Sequence, residues 1–299
     1  MTIQKLDTFG GHRDCVYALE AGPSPDQFFS SGGDGMVVRW QLGRPDLGEL
    51  VAQVPASVYA LCYEATQNRL WVGQNYEGLH LIDPDQKREV GSLKLTNAAI
   101  FDIKLYQNRA YAALSDGVVV VIDTEQLAIR RHLKASDQPA RCLAINPVER
   151  ELAVGYSDST IRVFDLTTLD LKRTIAAHTN SVFTVRYTPD FLHLLSGSRD
   201  ARLKRWDVDH AYDLGQEVVA HLFAINHLVF SPDGQLMATA SMDKSIKIWD
   251  ANTLRLLKVV DRARHAGHGT SVNRLLWTAH QNLLLSASDD RTISVWEIR

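Results

Sequence analysis

The sequence lacks the features that mark membrane-bound, secreted and metal-binding proteins. Its 299 residues contain no apolar run approaching about 18 residues, and the N-terminus MTIQKLDTFGGH lacks the apolar segment and cleavage site of a secretory signal. The three cysteines, Cys15, Cys62 and Cys142, show none of the C-x-x-C spacing of zinc or redox sites. We therefore expect a cytoplasmic protein with no membrane segment, metal or cofactor, whose cysteines are small buried residues.

The chain also lacks an excess of positive charge. It has 32 basic and 35 acidic residues, a formal net charge of −3, and its first 150 residues hold 15 basic and 18 acidic side chains. A protein that binds nucleic acid through phosphates needs clustered Lys and Arg, so a nucleic-acid partner is disfavoured. No glycine-rich loop leads from a strand into a helix, so nothing in the sequence indicates a nucleotide site.

What the sequence does contain is a repeat. The segments SSGGDGMVVRWQL, LSGSRDARLKRWDV, TASMDKSIKIWDA and LSASDDRTISVWEI each combine a strand, a tight turn with Asp and a second strand that ends near Trp. Weaker copies are GYSDSTIRVFDL, ALSDGVVVVIDT and NYEGLHLIDP. Successive copies lie 42, 40, 42, 42, 43 and 47 residues apart, which gives seven units of about forty residues. The residues at the Trp position are Trp40, Ile82, Ile122, Phe164, Trp206, Trp249 and Trp296.

Each unit has the pattern of short strands. Apolar residues occupy every second position in segments such as IRVFDL, LKRWDV and IKIWDA, and turn residues separate these segments. Proline fixes the backbone of hairpin turns, as at Pro147, Pro189 and Pro232. The pattern predicts strands throughout and no helix.

Four of the seven units share polar residues at fixed spacing. A His precedes an Asp by 22 positions, a Ser or Thr lies four positions before the Asp, and a Trp lies six positions after it. Ser, His and Asp can form a hydrolase triad, but a hydrolase needs one such set beside an oxyanion hole, so four equivalent copies indicate a structural part. We call these sets tetrads: His12, Ser30, Asp34 and Trp40; His178, Ser196, Asp200 and Trp206; His221, Thr239, Asp243 and Trp249; His268, Ser286, Asp290 and Trp296.

The units resemble the repeats of the WD40 family, which begin with Gly-His or Ala-His and end with Trp-Asp, over nearly the whole chain. The resemblance implies an all-β fold, a seven-bladed β-propeller of WD40 repeats in which residues 1–299 form a single domain with a central channel. Residues 2–9 precede the first Gly-His, and the last repeat stops after its third strand. We expect this N-terminal segment to pair in the last blade and close the ring. In the family, each tetrad is a buried hydrogen-bond chain from Trp through Ser or Thr and His to Asp.

Repeats two, three and four depart from the family pattern. Ala112 and Val154 replace the hydroxyl residue in repeats three and four, and Tyr76 or Glu77 stands where repeat two should have Asp. None of the three repeats has Trp at its Trp position. We expect these blades to be held together by apolar packing alone.

The resemblance also nominates a binding surface. In the family, the second residue of the quartet VYAL, VYAL, IFDI, ARCL, VFTV, INHL or VNRL faces the channel mouth, and residues before the turn Asp, such as Arg199, Met242 and Asp289, can join the rim. Aromatic residues beside an Arg are typical of interaction hot spots and can grip a cationic side chain, although they can also simply plug the channel. The nominated quartet residues are Tyr17, Tyr59, Phe101, Arg141, Phe183, Asn226 and Asn273.

The sequence therefore predicts a non-enzymatic scaffold, monomeric on its own, that binds proteins or peptides at the channel mouth. Two alternatives stay open: a propeller-type enzyme, such as a lactonase or quinone-dependent dehydrogenase, with its site in the channel, and an RNA- or ribosome-associated factor. The pair His265 and His268 has a spacing that can suit a metal, but His268 belongs to a tetrad and no carboxylate cluster accompanies it. The segment DRARHAG is expected to be a solvated connector.

Overall fold

The computed structural model describes residues 1–95 and 97–299. In this part of the chain, 28 strands form seven antiparallel sheets of four strands each, as the sequence predicts. We number the sheets 1 to 7 by the chain order of their first strands. The chain divides into two compact units, Met1–Asn97 with Val229–Arg299, and Ala98–Leu228, which we call unit 1 and unit 2.

Unit 1 contains sheets 1, 2 and 7. Sheet 1 consists of β2 (Val16–Ala21), β3 (Gln27–Gly32), β4 (Met36–Gln41) and β5 (Glu49–Gln53). Sheet 2 consists of β6 (Val58–Glu64), β7 (Arg69–Gln74), β8 (Gly78–Asp83) and β9 (Arg88–Lys94). Sheet 7 consists of β26 (Val272–Trp277), β27 (Leu284–Ser288) and β28 (Ile293–Ile298), together with β1 (Ile3–Phe9).

Unit 2 contains sheets 3, 4 and 5. Sheet 3 consists of β10 (Ile100–Tyr106), β11 (Arg109–Leu114), β12 (Val118–Asp123) and β13 (Ala128–Lys134). Sheet 4 consists of β14 (Ala140–Asn146), β15 (Glu151–Tyr156), β16 (Thr160–Asp165) and β17 (Leu171–Ala176). Sheet 5 consists of β18 (Val182–Tyr187), β19 (His193–Ser198), β20 (Arg202–Asp207) and β21 (Asp213–Val219). Sheet 6 belongs to neither unit alone: β22 (Ile225–Phe230) begins in unit 2, and β23 (Leu236–Ser241), β24 (Ile246–Asp250) and β25 (Leu256–Val260) lie in unit 1.

The N-terminal strand completes the last sheet. Strand β1 pairs antiparallel with β28, from Ile3 opposite Ile298 to Phe9 opposite Ile293, and the side chains of Ile3 and Phe9 are buried. This pairing covers the edge of β28, which would otherwise offer free backbone groups to another chain. The prediction that the N-terminal segment pairs in the last blade is confirmed.

Within a sheet, the second strand is buried and the last strand is mainly exposed, as sheet 4 illustrates. Every residue of β15 is buried, whereas Ile175 is the only buried residue of β17. A strand covered on both faces carries a continuous apolar run, and a strand with one solvated face alternates or is mainly polar. The core therefore lies between neighbouring sheets within each unit.

Two short helical turns contradict the prediction of no helix. An α-helix, α1, spans Arg262–His265, and a 3₁₀ turn spans His280–Asn282. The carboxylate of Asp261 accepts a hydrogen bond from the backbone N–H of Arg264 at 2.9 Å, an N-cap that stabilises a turn of helix even in a short connector. No residue of α1 is buried, in keeping with the expected solvated connector. Among the described residues, no helix is long and apolar enough to cross a membrane.

Candidate functional site

The nominated mouth residues occupy a special place in the backbone. We call the first strand of each sheet its innermost strand; in sheet 7 this is β26. In sheets 1 to 5 and 7, the register between the innermost strand and the next strand skips one residue, the second of the innermost strand. That residue therefore forms a β-bulge. A bulge redirects a side chain away from the regular face of the strand. In all seven sheets this residue is half-buried, whereas the residues on either side of it are less exposed or equally so. These bulge positions are Tyr17, Tyr59, Phe101, Arg141, Phe183 and Asn273, with Asn226 at the corresponding position of β22.

In unit 2, Arg141 lies between two aromatic rings. Its guanidinium is 4.4 Å from the ring centre of Phe101 and 5.5 Å from that of Phe183, and its Nε donates to Ser157 Oγ at 2.8 Å. Cation–π contacts of this kind hold an arginine in place. The two rings therefore already contact a cation of the chain itself, which a cationic partner would have to displace.

In unit 1, the bulge positions are fixed by contacts with each other and with the turns. The rings of Tyr17 and Tyr59 meet edge to face with their centres 4.8 Å apart. Burial raises the pKa of Tyr17 above its ordinary value. The amide of Asn273 donates to Val16 O at 3.0 Å and to Asp289 Oδ1 at 2.7 Å. The side chain of Asn273 therefore connects β26 both to the turn that carries Asp289 and to strand β2.

Two exposed apolar residues that the sequence analysis missed lie in the loop between β21 and β22. Leu222 and Phe223 have 83% and 59% of their surface exposed, and Arg199, which the sequence nominates for the rim, is also exposed. A signal was available, because the tetrad His is followed by Arg-Asp, Thr-Asn or Gly-Thr in the other tetrad repeats and by Leu-Phe only after His221. Large apolar residues beside each other on a surface are typical of an interaction site.

The tetrads form hydrogen-bond chains. In sheet 5, Trp206 Nε1 donates to Ser196 Oγ at 2.8 Å, Ser196 Oγ lies 2.8 Å from His178 Nε2, and His178 Nδ1 lies 3.0 Å from Asp200. One direction of donation satisfies the whole chain: the indole donates to the serine, the serine to the imidazole, and the imidazole Nδ1–H to the carboxylate. Ser196 is fully buried. The serine is thus held between two partners inside the sheet.

The tetrads of sheets 1 and 7 repeat this geometry. His12 Nδ1 lies 3.0 Å from Asp34 and His268 Nδ1 lies 2.8 Å from Asp290. Burial alone would raise the pKa of Asp290, but hydrogen bonds from His268 and Thr292 outweigh it and lower that pKa to about 2. The remaining links join Ser30 Oγ to His12 Nε2 and Trp40 Nε1, each at 2.7 Å, and Ser286 Oγ to His268 Nε2 and Trp296 Nε1, each at 2.8 Å.

In sheet 6, Trp249 Nε1 donates to Thr239 Oγ1 at 2.9 Å, and both side chains are buried. His221 is buried as well. Asp243 accepts hydrogen bonds from the backbone N–H of Ser245 at 3.0 Å and from its hydroxyl at 2.6 Å. The carboxylate therefore fixes the turn between β23 and β24, as each tetrad Asp does in its own turn.

Comparison with known families agrees with this geometry. The family described as "WD domain, G-beta repeat" matches residues 3–41, 128–165, 169–207, 213–250 and 261–297, which together make up more than half of the chain. The protein belongs to the WD40-repeat family. Residues 42–127, which these matches leave out, hold most of the repeats that lack a tetrad.

Relatives and solved structures extend the assignment. This WD40 protein is 23% identical to Striatin-3 of Mus musculus over 248 residues, which is 70% of this chain and 29% of Striatin-3, so the chain spans less than a third of that relative. It is 33% identical to Nuclear distribution protein PAC1 of Gibberella zeae over 85 residues, which is 28% of this chain and 18% of PAC1. The crystal structure of the WD40 β-propeller domain of Doa1 superimposes with a TM-score of 0.87 at 17% identity and covers 100% of this chain and 97% of that one. The predicted seven-bladed β-propeller fold is confirmed, and the seven sheets are its blades.

The WD40 repeat of sheet 4, which lacks a tetrad, contradicts the prediction of purely apolar packing. In sheet 4, Asp158 accepts hydrogen bonds from Ser136 Oγ at 2.7 Å and from a guanidinium N–H of Arg162 at 2.8 Å, and Arg162 lies 4.6 Å from the ring centre of Tyr156. Ser136 stands 42 residues before His178, at the tetrad His position of its repeat. Arginine therefore supplies the hydrogen-bond donor to the turn carboxylate that histidine supplies in the tetrads.

The other two such repeats differ from each other. In sheet 3, the carboxylate of Asp116 accepts a hydrogen bond from the backbone N–H of Val118 within its turn, at 3.1 Å. In sheet 2, His80 Nδ1 lies 2.7 Å from Glu89 Oε2, so polar contacts accompany the apolar packing there too. Among the residues that the structure describes, no group of three or more His, Cys, Asp and Glu side chains is placed to hold a metal ion.

Proposed function

We propose that this protein is a non-enzymatic interaction scaffold that binds peptides or partner domains through the bulge positions and the loops that lead into them. The observation that carries the proposal is the exposed pair Leu222 and Phe223 in the loop that enters β22. Exposed apolar side chains side by side favour association with another protein, and aromatic residues and arginine dominate the binding energy of protein interfaces. The bulge positions supply four aromatic residues and one arginine.

The geometry of the tetrads supports a function without catalysis. A nucleophilic serine must reach the substrate, with a base that is free to take its proton. Ser30, Ser196 and Ser286 are fully buried, and each hydroxyl bonds both a Trp and a His. We assign these groups to the stability of the fold. We likewise propose that residues 1–299 act as one domain, monomeric and cytoplasmic, with protein rather than nucleic-acid partners, given the net charge of −3.

Affinity capture tests the exposed loop. We expect Leu222→Ser with Phe223→Ser to lose the partners that the wild-type protein captures from cell extract, because the change removes apolar contact area at an accessible site. The matched control is Leu171→Ser with Leu256→Ser, which alters two exposed leucines on the outer strands β17 and β25. Quantitative mass spectrometry of the captured proteins is the measurement. Retention of the same partners by the loop variant would move the binding site elsewhere.

The bulge positions are tested by replacing Tyr59, Phe101 and Phe183 together with alanine. We expect partner capture to be abolished while the fold persists, because these side chains are half-buried at bulges and not part of the tetrads. Circular dichroism checks the fold, and the same captured proteins are quantified. A variant that stays folded and keeps its partners would show that the rings merely fill the structure.

A further inference from the structure

An exposed arginine of unit 2 lies beside the exposed apolar loop. Arg199 is in the turn between β19 and β20, and Leu222 and Phe223 are in the loop between β21 and β22. The carbonyl oxygen of Ala201, two residues after Arg199, accepts hydrogen bonds from the two backbone N–H groups that precede Leu222, at 3.0 and 3.3 Å. These bonds hold the turn against the loop. We call Arg199, Leu222 and Phe223 the loop patch.

The positive charge of Arg199 is not paired within the chain. Its side chain is exposed and, among the residues that the structure describes, makes no hydrogen bond or ion pair. The carboxylate of the next residue, Asp200, accepts hydrogen bonds from His178 Nδ1 at 3.0 Å and from two backbone N–H groups at 2.9 and 3.1 Å. In the corresponding turn of sheet 4, Asp158 bonds two hydroxyl groups and a guanidinium. The nearby carboxylates therefore already have donors, and the guanidinium of Arg199 can pair with an anion from outside the chain.

The bulge position beside the loop patch already has a cation of its own. Phe183 directly follows Val182, Arg199 directly follows Ser198, and these two preceding residues are paired across β18 and β19. The guanidinium of Arg141 lies 5.5 Å from the ring centre of Phe183. A cationic side chain of a partner would meet two arginines here, whereas an anionic one is attracted to both. The charges therefore favour an acidic partner.

We propose that the loop patch binds an acidic peptide segment of a partner protein, in which an Asp or Glu adjoins a large apolar residue. The carboxylate pairs with the guanidinium of Arg199, and the apolar side chain lies on Leu222 and Phe223. Asp200 places a negative charge close by, which favours a carboxylate with one negative charge over a phosphate with nearly two. This inference rests on the proposed function of the loop and adds the chemistry of the partner.

Methyl NMR of the full chain tests this chemistry. In protein labelled at leucine methyl groups, we expect acetyl-Glu-Leu-Leu-amide to produce a saturable shift of the Leu222 resonance at millimolar concentration. The Gln analogue of this peptide should bind about threefold to fivefold more weakly, in keeping with one solvent-exposed ion pair, and the Lys analogue more weakly still. The difference between the Glu and Gln peptides should shrink between about 0.02 M and about 0.5 M sodium chloride, because salt screens exposed charges.

Substitutions of Arg199 separate charge from apolar packing. Arg199→Gln should abolish the preference for the Glu peptide over the Gln peptide, while Leu222 still responds to both. Arg199→Lys should keep the preference, and Arg199→Glu should reverse the order so that the Lys peptide binds best. The matched control is Arg173→Gln, which removes an exposed arginine of the outer strand β17 and should leave the preference unchanged. The methyl spectrum of each variant shows whether it is folded.

Several results would overturn the inference. They are no response of Leu222 to the Glu peptide, equal affinity of the wild type for the Glu and Gln peptides, and an unchanged preference in folded Arg199→Gln. A phosphoserine analogue that binds about tenfold or more tightly than the Glu peptide would assign the patch to phosphate instead. A Leu222 resonance that shifts with protein concentration alone would assign it to a second copy of the chain.

These outcomes are distinct from failure of the proposed function. If Leu222→Ser with Phe223→Ser loses its captured partners but the wild type shows no preference for the Glu peptide, the loop binds partners without regard to charge. If that double variant keeps its partners, the proposed function fails whatever the peptides do.

Discussion

Sheets 3 and 5 of unit 2 have the same strand order but are held together by different chemistry. Sheet 5 joins Trp206, Ser196, His178 and Asp200 by hydrogen bonds, whereas sheet 3 has apolar side chains at its Trp and hydroxyl positions. In sheet 3, β12 is buried at every residue after the first. The difference shows that a tetrad is not needed to form a blade. It fixes the loop before the innermost strand to the turn that carries the Asp.

Sheet 7 tests most directly whether a tetrad alone can hold a sheet together. It has a tetrad, and its outer strand, β1, comes from the N-terminus. We expect deletion of residues 1–10 to lower the melting temperature by about 10 °C or more, since it empties the sites of Ile3 and Phe9 and exposes the edge of β28. Differential scanning calorimetry is the measurement. Leu6→Ser, at an exposed position of β1, is the control and should melt near the wild type. An unchanged melt after the deletion would mean that the tetrad alone holds the sheet.

Removing the turn carboxylate from each sheet compares the two directly. We expect Asp200→Ala to lower the free energy of unfolding by about 3 kcal/mol, because it leaves His178 and two backbone N–H groups without their acceptor. Asp116→Ala should cost about 1 kcal/mol or less, because its carboxylate accepts within a solvent-exposed turn. Urea unfolding of both variants measures the difference. Equal losses would mean that the tetrad carboxylate contributes no more to the free energy of unfolding than the carboxylate of an ordinary turn.

Sheet 4 lies between these two cases, since Arg162 replaces the tetrad histidine. We expect Arg162→Ala to lower the free energy of unfolding by about 2 kcal/mol, because Asp158 loses its charged partner and Tyr156 its cation–π contact. Arg173→Ala, at an exposed position of β17, is the control. Urea unfolding is again the measurement. A loss no larger than in the control would mean that apolar packing alone holds sheet 4 together.

The smallest expected effect is a dependence on pH in the tetrad sheets. The pKa of Asp290 is about 2 in the folded chain against an ordinary value of 3.8, so its contribution to stability is present above about pH 4 and is lost as the pH falls towards 2. We expect the difference in melting temperature between the wild type and Asp290→Asn to shrink over that interval. Asp46→Asn, at an exposed position, is the control. A difference that stays constant would show that the carboxylate is not coupled to folding.

Much of the fold could be predicted from the sequence because its signals are local and repeated. The spacing of 22 residues between His178 and Asp200 recurs in four repeats, and a hydrogen-bond chain needs just these side chains. The network of Asp158 was missed because Arg162 reaches it from the following strand, so the replacement is visible only in three dimensions. The helix α1 could not be predicted from the repeat spacing, because it depends on the N-cap contact of Asp261 within the connector DRARHAG.

The candidate site could be predicted only in part. Position within the repeat nominated Phe101, Arg141 and Phe183, but not that the two rings enclose the guanidinium, since ring contacts depend on how neighbouring sheets pack. Leu222 and Phe223 do not follow from the repeat pattern, because they stand at positions where the repeats differ. The residues that differ between repeats therefore determine how the exposed surface of one blade differs from that of the next.

The pairing of β1 with β28 has a consequence for biosynthesis. Ile3 is synthesised 295 residues before its pairing partner Ile298, so strand β1 has no hydrogen-bonding partner until β28 has left the ribosome. Closing so long a loop is slow compared with forming the hairpins inside each blade, so blade 7 should be the final one to assemble. Until then its edge stays open to chaperones and to other nascent chains.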